Sequence, residues 1–129
     1  MDNHAAANAY KQNAIENAPP IKIVRMLYQG AIRFIDQACE QDPEDPKSQF
    51  NDRVHAADRI VSELRLALDF EQGAEVGENL ERLYLFAENC LAQAMIDRTA
   101  APLAEARSVL TTLLEAWNEV EVETGRVAS

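Results

Sequence analysis

The sequence predicts an all-α protein: an antiparallel up-down-up-down four-helix bundle with an N-terminal helical or extended lid segment. Three observations carry that prediction. Apolar residues recur at alternating spacings of four and three through four long segments. Breakers are few, 4 Gly and 5 Pro in 129 residues, and most fall between those segments; Ala, Leu, Glu, Gln and Arg dominate elsewhere, which favours helix. The connections are only a few residues long, so consecutive helices must pack side by side and run antiparallel. Residues 20–124 therefore read as one domain, preceded by a flexible segment at 1–19 and followed by a tail at 125–129.

Residues 1–18 are rich in Ala and Asn, and their only large apolar side chains after Met1 are Tyr10 and Ile15. Such a segment can be helical when docked but cannot build its own core. It is either a frayed terminus or a lid that lays Tyr10 and Ile15 on the bundle. Pro19-Pro20 ends it, and Pro20 suits the first turn of the next helix. That helix is expected to run to about Glu40. Its polar residues Lys22, Arg25, Gln29, Arg33 and Asp36 make one narrow stripe, and nearly everything else is apolar or small. So wide an apolar arc belongs to a helix that is central in a bundle, or that covers a groove something else fills.

The run Gln41–Pro46 breaks the chain, with Asp45 expected as N-cap and Pro46 as first residue of the second helix. There Phe50, Val54, Ala57, Val61, Leu64 and Leu68 form a sustained seam, Ile60, Leu66 and Phe70 lie off it, and Gln72-Gly73 closes the helix. The third helix begins between Ala74 and Glu78. Its expected seam is Val76, Leu80, Leu83, Ala87, Cys90 and Ala94, with Tyr84, Leu91 and Met95 as a flanking stripe. Asp97-Arg98-Thr99 makes the next turn, Thr99 being the cap. The fourth helix carries Leu103, Ala106, Leu110, Leu113, Trp117 and Val120, and ends near Gly125.

A formal charge of −10 argues against nucleic-acid binding, since phosphates would be repelled. No apolar run approaches the roughly 20 residues that span a bilayer, so no stable membrane insertion is expected. The start, MDNHAAANAY, lacks the basic-then-apolar order of a signal peptide, which reads as cytoplasmic. Cys39 and Cys90 are not in a CxxC arrangement and fall on or beside apolar stripes, as reduced, buried thiols do. The only histidines are His4 and His55, and no Glu-x-x-His pair occurs, so neither a di-iron nor a zinc or haem site is expected and no cofactor is called for.

A lone histidine on a four-helix bundle is also how histidine phosphotransfer domains work. Those resemble His-x-x-Lys-Gly, whereas here the run is His55-Ala56-Ala57-Asp58-Arg59. An aspartate in the lysine's place repels a phosphoryl group, and His55 reads as a surface residue. Phosphate loops, nucleophile elbows and paired catalytic carboxylates are not identifiable, so the chain does not read as an enzyme.

What remains is apolar surface beyond the seams. If Ile23, Met26, Phe34 and Leu91 were exposed, covering them would be worth on the order of 5–10 kcal/mol, comparable with a whole domain's stability. A partner helix in a groove is one solution; a fatter core or a homodimer seam is another.

Specific residues then favour one of these. Asn8-Ala9-Tyr10, Pro20, Met26-Leu27-Tyr28-Gln29-Gly30, Asn79-Leu80-Glu81-Arg82-Leu83-Tyr84 and Ala116-Trp117 resemble, in order and approximate spacing, the flagellar secretion chaperone (FliS) family. The resemblance spans nearly the whole chain. It implies a cytosolic, non-enzymatic chaperone that binds the disordered C-terminal segment of flagellin, prevents premature polymerisation and aids delivery to the flagellar type III export apparatus. The export gate and other flagellar proteins are further candidate partners, and the chain itself is expected as a monomer or weak homodimer. In that family the client wraps the bundle as extended and helical pieces, and the N-terminal segment can occupy part of its groove. Tyr10, with Ile15, then becomes the lid. The client groove takes in Ile23, Met26, Leu27, Tyr28, Gly30 and Phe34 on the first helix, with Leu80, Leu83, Tyr84 and Leu91 on the third. Three departures stand out: Pro19 replaces the usual capping serine, Asn89-Cys90 replaces a pair of basic residues, and Arg98-Thr99 replaces a small polar pair.

Overall fold

Four helices form where the apolar periodicity runs: α1 (Pro20–Cys39), α2 (Phe50–Leu66), α3 (Ala74–Asp97) and α4 (Ala101–Ala128). The computed structural model describes residues 20–68 and 74–128, and side chains at 21–68 and 74–119. The lid residues Tyr10 and Ile15, and the expected stop at Gln72-Gly73, lie outside the described residues.

The substantial helix contacts are α1 with α2, α2 with α3, α3 with α4, and α4 with α1. The four helices therefore occupy the corners of a square, with α1 and α3 on one diagonal, and no strand occurs among the described residues. This is the four-helix bundle that the four-three spacing predicts.

One contiguous core fills the square. It draws Tyr28, Ala31, Ile35 and Ala38 from α1, and Phe50, Val54, Ala57, Val61 and Leu64 from α2. From α3 come Tyr84, Ala87, Cys90, Leu91 and Ala94, and from α4 Leu103, Ala106 and Leu110. The α2 seam is the predicted one, and Leu68 packs against it although the helix stops at Leu66. On α3 the predicted seam holds only in the second half. In the first half the helix is rotated: Val76 is 63% exposed and Leu83 38%, while the supposedly flanking Tyr84 and Leu91 lie in the core.

The start and end of α2 and the end of α4 differ from the expected boundaries, α2 stopping already at Leu66, whereas the α3–α4 turn falls at Asp97-Arg98-Thr99 as expected. Asp45 does not cap α2. Its Oδ1 accepts from the Lys47 N–H at 2.9 Å and its carbonyl from the Ser48 N–H at 3.0 Å. Those bonds close a separate turn, and α2 starts only at Phe50, whose N–H reaches Ser48 Oγ at 3.3 Å. The α3–α4 turn places Arg98 in the left-handed region, φ 52°, with the Thr99 N–H bonding back to the Ala94 carbonyl at 3.1 Å. That five-residue back-bond satisfies a carbonyl at the helix end. Thr99 Oγ1 then accepts from the Ala101 N–H at 3.4 Å, a weak version of the expected cap. Finally, α4 continues through Gly125 to Ala128; one glycine costs a helix only about 1 kcal/mol and need not stop it.

Candidate functional site

The residues expected to line one groove on α1 and α3 do not share a surface, because those helices face each other across the diagonal with α2 and α4 between them. Tyr28, Tyr84 and Leu91 are core residues. Leu27, Phe34 and Leu80 are half-buried against that core, and Ile23 is half-buried on α1. Gly30 faces α2: a Cβ there would sit 3.3 Å from Ile60 Cδ1, so the missing side chain lets α2 approach closely. Only Met26, 63% exposed, and Leu83 offer apolar surface to a partner.

The inward members of that set build a polar feature at the centre of the core. The Tyr28 and Tyr84 hydroxyls hydrogen-bond each other across the diagonal, with ring centroids 6.3 Å apart and tilted by 48°. Trp117 of α4 also hydrogen-bonds Tyr28, its indole N–H being the only donor it has. Burial pushes the Tyr28 phenol up from its ordinary value, and its hydrogen bonds only partly oppose this. The phenol therefore stays neutral, and its task is to join α1, α3 and α4 rather than to do chemistry.

The apolar groove lies elsewhere, along the seam of α3 and α4. A depression of about 420 Å³ is lined by Phe86, Asn89, Cys90 and Gln93 of α3 with Ala101, Pro102 and Glu105 of α4. A second, of about 180 Å³, is lined by Leu83 of α3 with Ser108, Val109, Thr112 and Leu113 of α4. Because the helices are antiparallel, the two follow each other along one furrow. Its α3 wall descends Leu83, Phe86, Cys90 and Gln93 at spacings of three and four, while its α4 wall includes the small Ala101, Ser108 and Thr112. Phe86 is 45% exposed, an aromatic ring left uncovered by its own bundle. Sequence reading missed the α4 wall, whose signal was there: Ala101, Ser108 and Thr112 are too small to close the seam they border.

Chemistry at the groove is confined to Cys90 and Glu105. The thiol lies 3.8 Å from Glu105 Oε2. Burial, then the Glu105 charge and contact, push its pKa up, so it is a protonated floor residue and not a nucleophile. Cys39 is exposed rather than buried, because it ends α1 on an outer face; its thiol too is pushed up, by burial and Asp36.

The remaining polar contacts are clamps. Glu88 of α3 accepts from Ser62 Oγ at 2.5 Å and from Arg65 Nε at 2.6 Å, both on α2. Arg107 of α4 holds Asp36 of α1 at 2.7 Å through Nε and 3.2 Å through Nη2. His55 is exposed on α2, with Asp58 near enough to feel its charge. Asp58 in turn senses Glu88, an anionic setting that disfavours a phosphoryl group. Among the described residues no group of three or more His, Cys, Asp or Glu could hold a metal ion, and no helix is long and apolar enough to cross a membrane.

Comparison with known proteins places this architecture. The family model described as flagellar protein FliS matches residues 1–124. A flagellar secretion chaperone FliS of Campylobacter jejuni is 35% identical over 120 residues, which is 93% of this chain and 94% of the relative. Its counterpart in Bacillus subtilis is 29% identical over 111 residues, 86% and 82% of the two chains. The Salmonella typhimurium protein is 29% identical over 119 residues, 90% and 87%.

Proposed function

The chain belongs to the FliS family of flagellar proteins, and from that premise we propose that it receives the C-terminal segment of flagellin along the α3–α4 groove. As a member of that family it is a flagellar export chaperone and not an enzyme. The observation that carries the reading of the groove is Phe86. Its ring stands 45% exposed beside a furrow about 15 Å long, the span of Leu83 to Gln93 at ~1.5 Å per residue.

A client that is disordered before binding loses roughly 1–2 kcal/mol of backbone entropy per residue it orders. Only an apolar-faced, helix-competent segment recovers that from this site, by laying side chains at three-and-four spacing into the furrow. Flagellin's C-terminal coiled-coil segment has that character. Met26 on α1 offers a second, separate apolar contact for a client that wraps around the bundle. Held this way in the cytoplasm, the segment is unavailable for polymerisation until the subunit is delivered for export. The lid formed by Tyr10 and Ile15 belongs to the same reading: removing residues 1–18 should tighten or speed client binding.

Calorimetric titration with a flagellin C-terminal peptide tests the proposal. Saturable one-to-one binding is expected. No heat and no capture at about 50 µM peptide, a concentration at which a millimolar-or-weaker contact stays unfilled, would sink it.

A further inference from the structure

Away from the groove, on the helix diagonal to α3, the outer face of α1 reverses the charge of the rest of the chain. Residues 20–35 hold three of the 12 basic residues, Lys22, Arg25 and Arg33, and none of the 22 acidic ones. Lys22, Met26, Gln29 and Arg33 follow one another at spacings of four, three and four, all exposed, with Arg25 half-buried beside them. Ile60 of α2 packs at Gly30, so its exposed neighbour Arg59 borders the same stretch, with exposed Glu63 one turn further on. Lys22, Arg33 and Arg59 pair with no described residue, whereas Arg65 and Arg107 are taken up by Glu88 and Asp36.

The placement also runs against the helix itself. α1 has no acidic residue in its first turn and no basic one in its last. Lys22 and Arg25 stand towards its positive N-terminal end, with Asp36 and Glu40 at its negative C-terminal end, the reverse of what the peptide dipoles favour. α2 keeps the favourable order, with Asp52 in its first turn and Arg65 in its last. A charge order that costs its own helix stability, and whose exposed cations take no described carboxylate, points to a need outside the bundle.

We infer that this stripe of α1 docks an acidic helical segment of a protein other than the client. Lys22 and Arg33 stand about 16 Å apart along the helix, so carboxylates three turns apart on one face of the segment meet both, and Arg59 takes a third from the α2 side. Met26 between them is the one contact such a segment shares with a wrapping client, so the two compete on α1 alone and the groove stays free. A short segment suits the stripe better than an extended anionic surface. With screening over about 8 Å, it senses the cations beneath it, whereas a membrane or a nucleic acid reaches on to the acidic remainder of a chain of formal charge −10. The inference goes beyond the α3–α4 groove and does not rest on it.

The probe is a capped helical peptide of about 18 residues, long enough to cover the stripe, with two glutamates eleven residues apart and a leucine between them. It is titrated into the isotope-labelled full chain and followed by amide chemical shifts at about 20 mM salt. Saturable shifts are expected along residues 22–33 and around Arg59, and not along Leu83–Gln93, with a Kd below about 1 mM that rises at least ~threefold by about 0.3 M salt. Arg33→Glu should weaken binding at least ~fivefold, and so should exchanging the peptide's glutamates for glutamine. Arg33 is exposed, so the helical circular-dichroism spectrum should not change, and Arg33→Gln, which removes the charge without reversing it, should give a smaller loss. No saturable shift at about 2 mM peptide overturns the inference, as does binding that ignores Arg33→Glu or the glutamine exchange. Co-sedimentation of the chain with phosphatidylglycerol vesicles at the same salt, lost in Arg33→Glu, overturns it too, the face then being one for membranes.

Discussion

Replacing Phe86 by alanine is the most direct test of where the client sits. A phenylalanine side chain buries about 150–250 Å² when fully covered. With 45% of it exposed in the free chaperone, a client seated in the α3–α4 furrow removes roughly 90 Å² of ring from water. At about 25 cal/mol per Å² that is ~2 kcal/mol, or about a thirtyfold rise in Kd when the ring is deleted. The fold should hardly respond, because Phe86 is outside the core cluster. Isothermal titration of a flagellin C-terminal peptide into wild type, Phe86→Ala and Met26→Ala measures all three terms, with urea unfolding as the stability control. Met26, 63% exposed on α1, is the counterweight. If Phe86→Ala binds within twofold of wild type while Met26→Ala loses tenfold or more, the client lies on α1 and the groove assignment is refuted.

Three further outcomes follow from the geometry. Tyr28→Phe and Tyr84→Phe each remove the hydroxyl pair at the core's centre and should each cost about 1–3 kcal/mol in urea unfolding. The double variant should cost less than the sum by more than ~0.5 kcal/mol, and additivity would mean the hydroxyls do not meet in solution. Asp58→Asn should raise Tm at neutral pH. Burial and then Glu88 hold the Asp58 pKa above its unfolded value, so stability from its protonated form is complete below about pH 3.9 and lost as pH rises through the folded value. The gain from Asn should therefore shrink as pH falls towards 4 in a Tm-versus-pH series, and a gain independent of pH would contradict this assignment. Ser108→Leu fills the ~180 Å³ depression beside Leu83. It should leave unfolding stability within about 0.5 kcal/mol while weakening peptide binding; unchanged affinity would exclude that depression from the client path.

The fold was largely legible in the sequence because four-three apolar spacing and short, breaker-marked connections admit few other packings. The α2 seam from Phe50 to Leu64 could be written down residue by residue. Misreadings cluster where two physical signals compete. At Asp45-Pro46 a cap-and-proline pair is equally good at closing a lone turn, and its local hydrogen bonds won. The first half of α3 offers two apolar phases, Val76–Leu80–Leu83 and Leu80–Tyr84–Ala87, and spacing ranks them equally. The candidate site was less legible still. A groove is made by what two helices fail to fill, so its α4 wall of Ala101, Ser108 and Thr112 shows as small residues beside a seam and never as a motif.

The choice between those α3 phases also decides which apolar side chains α3 leaves uncovered. A tyrosine turned into a core must find a partner for its hydroxyl, or bear the ~1–3 kcal/mol cost of an unsatisfied group. Tyr84 finds Tyr28 on the opposite corner, and Trp117 reaches the same oxygen side. No residue in the rival phase could make that bond. With Tyr84 pinned to the centre, the ~100° turn per residue of an α-helix leaves no freedom elsewhere on α3. Leu83 is rotated to the α4 side, Phe86 falls on the outer edge of the same side, and Leu85 is carried to the opposite flank. The buried hydroxyl pair is made in this rotation of α3 and not in the rival one, and this rotation presents Leu83 and Phe86 to the groove and leaves Leu85 exposed on the other flank. Polar core groups that select one packing among near-equals are known to act as such register devices. Here the register selected is the one in which α3 keeps apolar side chains uncovered on two faces.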